Sequence, residues 1–446
     1  MLNYEKQETK GRGEMIALFD AGTFVETGAF VRRHGEDQPY DAVITGYGSV
    51  GGKLAFAFVQ DSDRKAGALD EVGASKIEKL YAQAVSVGAP VIGVFDSAGA
   101  VVMDGAPALT AYGRVMKCVS DASGIIPQIA LVEGVCTGMA SVIASMFDMT
   151  VTVTDISRIS FAVTDAKELS GMLSSLNTDT VDAAVAAVRE IVTLLPRNNR
   201  DVADVEPTDA PARAVAADEL KGLALVTALA DHGQVITLYN TFAPEMITAL
   251  CTIGGRTCGV IATDATVNNG NLTPKGARKA ARLVSFCDSF SIPVITLVDS
   301  EGVADTTCCE PSAFLAKLAK AYITANTAKI SVVVGKAYGA AFTLMGSRAL
   351  GADLALALPE SVISVLPPET AVAFLQNDEI TEDMPRAAME AEWMEKIASP
   401  VRAAESGDID DIVAPAELRA RLCSALYMLA EKADTAPDRK HGVPTL

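Results

Sequence analysis

The sequence contains two similar halves, and this repetition constrains the fold more than any other feature. Each half carries a β-branched run ending in Asp-Ser and, about forty residues later, a second apolar run ending in small residues. These phrases are GAPVIGVFDSAGA (88–100) and IPQIALVEGVCTGMAS (126–141), then SIPVITLVDSEGV (291–303) and AKISVVVGKAYGAAF (328–342). Asp96 and Asp299 are 203 residues apart, whereas Gly138 and Gly339 are 201 apart. Two ordered landmarks at a nearly constant offset indicate an internal duplication.

Each half predicts strands alternating with helices. An amphipathic stretch such as 76–87 leads through Pro into a short apolar strand, and a further helix, such as 108–120, separates that strand from the next. This order is typical of an α/β layered core with continuous apolar strands. The Pro-, Asp- and Asn-rich segment 194–214 reads as a linker or docked connection. The sequence therefore predicts two domains, 1–215 and 216–446.

The charge of the chain argues against polyanionic partners. The 446 residues include 37 Lys and Arg against 56 Asp and Glu, which gives a net charge of −19. Binding to nucleic acid or to an anionic membrane surface requires a basic face, so neither is expected. No segment reaches the roughly 18 to 20 apolar residues of a membrane helix, since Glu133 and Asp148 interrupt the most apolar region. With a polar start that lacks an apolar core, the chain is expected in the cytoplasm.

Cysteine and histidine do not form recognisable metal-binding patterns. None of the eight cysteines forms a C-x-x-C pair, and most lie in apolar stretches, which is typical of reduced buried thiols. The three histidines, His34, His232 and His441, are far apart in the sequence and show no ligand spacing. A metal is therefore not expected.

The small-residue turns are the first candidates for chemistry. A strand that passes through such a turn into a helix exposes backbone N–H groups without partners, and these can bind an anion. If the charge develops during a reaction, the turn is an oxyanion hole. The candidates are Gly138, Met139 and Ala140 in the first half and Gly339, Ala340 and Ala341 in the second. Small residues at such junctions also serve packing, but two at corresponding places favour a function.

A basic cluster stands out in this acidic chain. Arg278 and Lys279, followed by Arg282, lie at the start of the helix predicted after residue 274. Two interpretations are open: a solvated helix face, or a clamp for phosphate or carboxylate groups.

These phrases together resemble the carboxyltransferase family of biotin-dependent acyl-CoA carboxylases and decarboxylases. Besides the repeated phrases, the resemblance rests on segments from nearly the whole chain. They are VITGYGSVGGKLAFAFVQD (43–61), LLPRNNR (194–200), IGGRTCGVIATD (253–264), GKAYGAAF (335–342) and GDIDDIVAPAELRARL (407–422). So many ordered segments make the resemblance specific to the family.

The resemblance implies two tandem crotonase-like domains and a dimer-based homo-oligomer, in this family a trimer of dimers. Acyl-CoA would lie on the N-terminal domain of one subunit, and carboxybiotin on the C-terminal domain of its dimer partner. Biotin would arrive on a separate carrier protein, and other carboxylase or decarboxylase subunits would complete the enzyme. The chain would move a carboxyl group between carboxybiotin and the α-carbon of the thioester, through two backbone oxyanion holes and without a metal.

The resemblance also implies individual site residues. Gly138 and Met139 match the first oxyanion pair, and Gly339, Ala340 and Ala341 cover the second. Ser97, Ala98 and Gly99 lie in the substrate-binding phrase, and Thr343 stands at a position that sets substrate specificity.

The chain departs from the family pattern at several of these positions. Met139 and Ala340 replace glycines, and Ala98 and Val101 replace a glycine and a basic residue. Two alternatives therefore stay open: a catalytically degenerate structural subunit of such a complex, and a biotin-independent crotonase-type enzyme. The acyl group and the direction of the reaction are open as well.

Overall fold

The protein folds into two compact units. The computed structural model describes residues 8–33, 40–161, 171–203, 206–304, 310–433 and 443. The units are Met1–Ala203 and Asp204–Leu446, so the division precedes the boundary predicted after residue 215. Arg213 gives a physical reason, because its guanidinium donates to the carbonyls of Ala228 and Ala230 at 2.8 Å. The end of the predicted linker is thereby fixed to the second unit.

Each unit is built on one eight-stranded sheet. In the first unit the strands are β1 (Val25–Thr27), β2 (Val43–Val50), β3 (Lys53–Gln60), β4 (Val91–Ser97), β5 (Gln128–Thr137), β6 (Met149–Val153), β7 (Arg158–Ser160) and β8 (Leu176–Thr178). In the second they are β9 (Val235–Leu238), β10 (Met246–Ile253), β11 (Arg256–Thr263), β12 (Val294–Ser300), β13 (Lys329–Tyr338), β14 (Leu354–Ala357), β15 (Val362–Ser364) and β16 (Asp411–Ile412).

The two sheets have the same topology. The strand order is β1-β2-β3-β4-β5-β6-β8 in one and β9-β10-β11-β12-β13-β14-β16 in the other. The short strands β7 and β15 pair with the ends of β5 and β13. In both sheets the first three strands pair antiparallel and the remaining pairs are parallel. The predicted duplication and α/β class are confirmed.

Helices cover the sheets. The first unit has α1 (Lys10–Leu18), α2 (Glu71–Val87), α3 (Ala106–Ala122), α4 (Met139–Met146) and α5 (Val181–Leu194). The second has α6 (Gly222–Leu229), α7 (Pro274–Ser289), α8 (Glu310–Thr324), α9 (Ala340–Leu344), α10 (Pro368–Leu375), α11 (Arg386–Lys396), α12 (Pro400–Glu405) and α13 (Leu418–Met428). Among the described residues, none of these helices combines the length and apolar character needed to cross a membrane.

Local sequence signals define the boundaries of α2. The Asp70 carboxylate caps its start by accepting the N–H groups of Val72 and Gly73, and Gly88 ends it in the left-handed conformation at φ 64°. Its apolar face, with Ile77 and Leu80, packs in a core that also includes residues of α3, α4 and the central strands. The helix predicted over 76–87 therefore lies within α2, and that predicted over 108–120 lies within α3.

Candidate active site

Each unit contains a sharp turn where a central strand leads into a helix. Gly138 joins β5 to α4 with φ 60° and ψ −131°, and Gly339 joins β13 to α9 with φ 52° and ψ −118°. L-amino acids rarely adopt this conformation, so the turn requires glycine. Both glycines were predicted at the centre of the small-residue turns, and the structure places them at corresponding positions.

The glycine N–H groups are already used within the protein. Gly138 donates to the Ser160 carbonyl at 3.1 Å, and Gly339 donates to the Ser364 carbonyl at 2.9 Å. These carbonyls end β7 and β15, so the short strands hold the turns in place. Gly138 therefore shapes the site but does not offer its own N–H group to a ligand.

The next residues supply the available donors. Among the hydrogen bonds of the described residues, the N–H groups of Met139 and Ala140 have no protein acceptor. The same holds in that part of the chain for the N–H groups of Ala340 and Ala341. Each turn thus presents two adjacent backbone donors, which is the arrangement that stabilises a developing oxyanion. A backbone donor does not depend on the side chain, so replacement of the family's glycines leaves this property intact.

The side chain of Met139 does not have to occupy the turn. It is partly buried and packs against the apolar core of the first unit. The core therefore accommodates part of the bulk that distinguishes Met139 from glycine. This packing weakens the argument that the chain has lost its first oxyanion site.

The segment that follows β4 lies beside the first turn. A Cβ atom added to Gly99 would lie 3.7 Å from the Thr137 carbonyl, immediately before Gly138. Ala98 is exposed, and its N–H donates to the Ala66 carbonyl at 3.0 Å. The structure therefore brings the predicted residues Ala98 and Gly99 next to the turn.

Ser97 has a different environment from the one expected of a substrate contact. It is fully buried, and its hydroxyl accepts hydrogen bonds from the Gly99 N–H and from Gln60 Nε2, both at 3.2 Å. Its contacts are with the protein's own backbone and core. Ser97 therefore supports the segment that carries Ala98 and Gly99.

The second unit repeats this arrangement. Ser300 is buried and accepts the Gly302 N–H at 3.2 Å, while a Cβ on Gly302 would lie 3.9 Å from the Tyr338 carbonyl. Thr343 is exposed on α9, one turn after Gly339, to whose carbonyl its N–H donates at 3.4 Å. Thr343 therefore lies close to the second turn.

The basic cluster does not form the predicted clamp as a unit. Lys279 is buried, and its ammonium donates at 2.8 Å to the carbonyls of Tyr239 and Phe242. Burial lowers the pKa of Lys279 to about 8. Arg278 is exposed on α7, with its guanidinium 5.7 Å from the centre of the Phe314 ring. The structure corrects the clamp interpretation for Lys279, whose ammonium is occupied by backbone carbonyls.

The described part of the chain contains no candidate metal-binding site. No group of three or more His, Cys, Asp or Glu residues there could hold a metal ion. His232 pairs with the Thr208 hydroxyl at 2.8 Å, while His34 and His441 lie outside the described residues.

Comparison with known proteins decides the family. The sequence-family model of the carboxyl transferase domain matches residues 4–173 and 167–444 of this chain. The chain belongs to the carboxyl transferase family.

Named relatives of this carboxyl transferase align over almost its whole length. It is 34% identical to the propionyl-CoA carboxylase carboxyltransferase subunit of Haloferax mediterranei, over 98% of this chain and 94% of that protein. It is 32% identical to the methylmalonyl-CoA decarboxylase subunit alpha of Veillonella parvula, with the same two coverages. Both a carboxylase and a decarboxylase subunit are therefore among its relatives.

A solved structure supports the fold. The transcarboxylase 12S structure, a hexamer assembly with methylmalonyl-CoA and methylmalonic acid bound, superposes with a TM-score of 0.91 at 29% identity. The match covers 98% of this chain and 92% of that one. The predicted crotonase-like class is confirmed, and the carboxyl transferase family makes this chain an acyl-CoA carboxyltransferase.

Proposed function

We propose that this protein transfers a carboxyl group between carboxybiotin and the α-carbon of a short acyl-CoA of the propionyl and methylmalonyl type. The paired turns carry the proposal, because each of the two reacting carbonyl groups needs its own oxyanion site. The names of the relatives support the substrate class, since propionyl-CoA and methylmalonyl-CoA are the two sides of one carboxylation.

In this proposal the first turn holds the thioester. The N–H groups of Met139 and Ala140 donate to the thioester oxygen as negative charge develops on it after loss of the α-proton. Ala98 and Gly99 line the approach to that oxygen. Because these donors are fixed by the backbone, they need no rearrangement during the reaction, and the chain contributes chiefly positioning and charge stabilisation.

The second turn would receive the ureido carbonyl of biotin. The Ala340 and Ala341 N–H groups fit a carbonyl oxygen that becomes negatively charged, and the small side chains allow close approach. Carboxybiotin would supply the carboxyl group and the nitrogen that takes up the α-proton. Exposed Thr343 stands beside this turn and would contact whatever occupies it.

The proposal requires partners. A separate biotin carrier protein and the remaining carboxylase or decarboxylase subunits would act with a homo-oligomer of this chain, for which the hexamer assembly of the transcarboxylase relative is the model. The six described cysteines are free, and four of them are buried, which supports action in the reducing cytoplasm.

The test is carboxyl transfer by the purified protein with free biotin. Malonyl-, methylmalonyl- and glutaconyl-CoA are compared, and loss of the acyl carboxylate is followed. We expect biotin-dependent loss that is fastest with methylmalonyl-CoA. Loss without biotin would favour the biotin-independent crotonase-type alternative. An intact oligomer that fails with every thioester, even with a biotin carrier protein present, would favour the structural-subunit alternative.

A further inference from the structure

Asp96 and Asp299, the landmarks of the duplication, bridge neighbouring strands in the same way. Each is the last residue but one of its strand, β4 or β12, and its side chain reaches the next parallel strand. Asp96 Oδ1 accepts the Val135 N–H at 3.2 Å, and Asp299 Oδ1 accepts the Lys336 N–H at 2.9 Å. Each donor, Val135 or Lys336, lies three residues before the turn glycine. In the sequence alone, these aspartates are visible only as landmarks of the repeat.

The bridges lie where the strand pairing is irregular. Phe95 pairs with Val132, but Ser97 pairs with Cys136, so β5 carries two more residues than β4 between these pairs. The second sheet has the same shift, from Val298 with Val333 to Ser300 with Ala337. Extra residues in a strand leave backbone groups without ladder partners. The carboxylates satisfy one such N–H group in each unit.

Glycine at the bulge makes room for each carboxylate. A Cβ atom added to Gly134 would lie 2.1 Å from Asp96 Oδ1, and one added to Gly335 would lie 2.3 Å from Asp299 Oδ1. Any side chain at these positions would displace the carboxylate. The Asp and the Gly therefore depend on each other, and the same Asp–Gly combination occurs in both halves of the chain.

The serine that follows each aspartate holds the segment on the opposite side of the turn. Ser97 and Ser300 accept the N–H groups of Gly99 and Gly302, each at 3.2 Å. Within each Asp-Ser pair, the carboxylate thus holds the strand that leads into the turn, and the hydroxyl holds the segment opposite. Both sides of each candidate oxyanion site depend on two adjacent residues.

We infer that Asp96 and Asp299 are positioning residues, each of which sets the strand bulge that places the backbone donors of its own turn. The inference rests on the proposed function for its kinetic consequences, and on the structure alone for its effect on the turns. Asp96 would then govern the thioester side of the reaction and Asp299 the biotin side.

The kinetic test compares Asp96→Ala and Asp299→Ala with wild type in the free-biotin assay. We expect Asp96→Ala to lower kcat/KM for the thioester by about 10- to 100-fold while the KM for biotin stays unchanged. Asp299→Ala should lower kcat/KM for biotin by a similar factor while the KM for the thioester stays unchanged. Asp299→Asn keeps an oxygen for the Lys336 N–H and should restore most of the activity.

Matched controls come from the other end of the same strands. Asp148 accepts the N–H of Gln128 and Asp353 accepts that of Lys329, both at 2.8 Å, where β5 and β13 begin. Asp148→Ala and Asp353→Ala remove the same kind of bond far along the strand from each turn. If they lower activity as much as the bulge variants do, the effect is general destabilisation and the inference is wrong.

Amide hydrogen exchange tests the inference without activity. Asp96→Ala should speed exchange in peptides covering 134–141, and Asp299→Ala in peptides covering 335–342, whereas Asp148→Ala and Asp353→Ala should not. Unchanged exchange in the bulge variants would overturn the inference. If wild type shows no carboxyl transfer but the exchange pattern holds, the proposed function fails and the positioning role stands.

Discussion

Single residues define the candidate active site through their backbone more than through their side chains. Gly138 has a conformation that ordinary residues avoid, and its N–H group is bound to Ser160, so its contribution is purely geometric. Met139 and Ala140 then offer N–H groups whatever their side chains are. For this reason, residues other than the family's usual glycines leave these backbone donors in place.

Replacing Gly138 by alanine tests this geometry. Space around the new Cβ is adequate, since the nearest atom outside its neighbours is the Phe161 carbonyl oxygen at 4.0 Å. The positive φ should nevertheless cost about 1–3 kcal/mol of strain or force the turn to move. We expect kcat to fall at least tenfold (about 1.4 kcal/mol of transition-state stabilisation) in the carboxyl-transfer assay, with the oligomer intact by light scattering.

The control for this variant is Gly113→Ala. Gly113 lies within α3, has no positive φ, and a Cβ there would contact nothing within 4 Å. Alanine should stabilise this helix by about 0.5–1 kcal/mol and leave kcat unchanged. Equal losses of activity in both variants would contradict the special role of the turn.

At the scale of elements, buried charged groups hold the terminal segments to their sheets. In the second unit, Arg419 on α13 is fully buried and donates to Asp231 Oδ1 at 2.6 Å and to the Leu229 carbonyl. Asp231 in turn accepts the N–H groups of Gly254 and Gly255, which join β10 to β11. One ion pair thus links the last described helix to a hairpin near the start of the unit.

With Arg419→Leu, the second unit should unfold at a lower urea concentration than in wild type. It would leave the Asp231 carboxylate buried without its cation, which costs about 3–5 kcal/mol. Arg421 on the same helix pairs with Asp411 on the surface, so Arg421→Leu should cost less than about 1 kcal/mol. Urea unfolding followed by circular dichroism compares the two. Similar midpoints would show that the buried pair contributes no more than the exposed one.

In the first unit, α1 meets β5 through two carboxyl groups. Burial, together with the neighbouring Glu14, raises the pKa of Glu133, and burial likewise raises the pKa of Glu14. Lys10, Asp96 and Asp61 are the other charged groups that act on this pair. The folded protein therefore retains a proton that the unfolded chain releases once the pH exceeds about 4.5.

This retention makes stability fall as the pH rises. Above the ordinary glutamate pKa the folded state binds more protons than the unfolded state, so the free energy of unfolding decreases with pH. Glu133→Gln keeps a neutral side chain and should be more stable than wild type at pH 8 but not at pH 5. Glu190→Gln, at an exposed position on α5, is the control. A Glu133→Gln difference that is independent of pH would refute the shared-proton explanation.

At the scale of the whole molecule, the duplication gives one chain two candidate sites of the same construction. Each unit has the same strand order, the same register shift and the same Asp-Ser pair before its turn. In the proposed function, a carboxyl group moves between two carbonyl compounds that each develop negative charge, and such a transfer would use both copies. The resemblance implies that the two copies facing each other belong to different subunits.

Mixing two inactive variants tests that implication. Gly138→Pro abolishes the first turn and Gly339→Pro the second, because proline can neither adopt the positive φ nor donate its nitrogen. If a site combines the first unit of one subunit with the second unit of its partner, mixed dimers contain one intact site. Subunit exchange should then restore part of the wild-type carboxyl transfer. Persistent inactivity after verified exchange would indicate that each subunit uses its own two turns.

The duplication, the α/β class, the family and the position of both turns can be predicted from the amino-acid sequence alone. These features are local or periodic: β-branched runs, helical spacing over 76–87 and small residues after a strand are visible in a short window. The turn glycines are of this kind, because a glycine among small residues at the end of an apolar run is visible in the sequence. A second copy at a nearly constant offset reinforced each of these signals.

Which polar groups remain available to a ligand depends on the tertiary structure. Gly138 gives its N–H to Ser160, Lys279 gives its ammonium to backbone carbonyls, and Asp96 spans to β5. Each partner comes from a different element, 22, 40 and 39 positions away in the chain. Strand pairing and burial bring such groups together, and the identity of a residue does not reveal which distant carbonyl or amide will satisfy it.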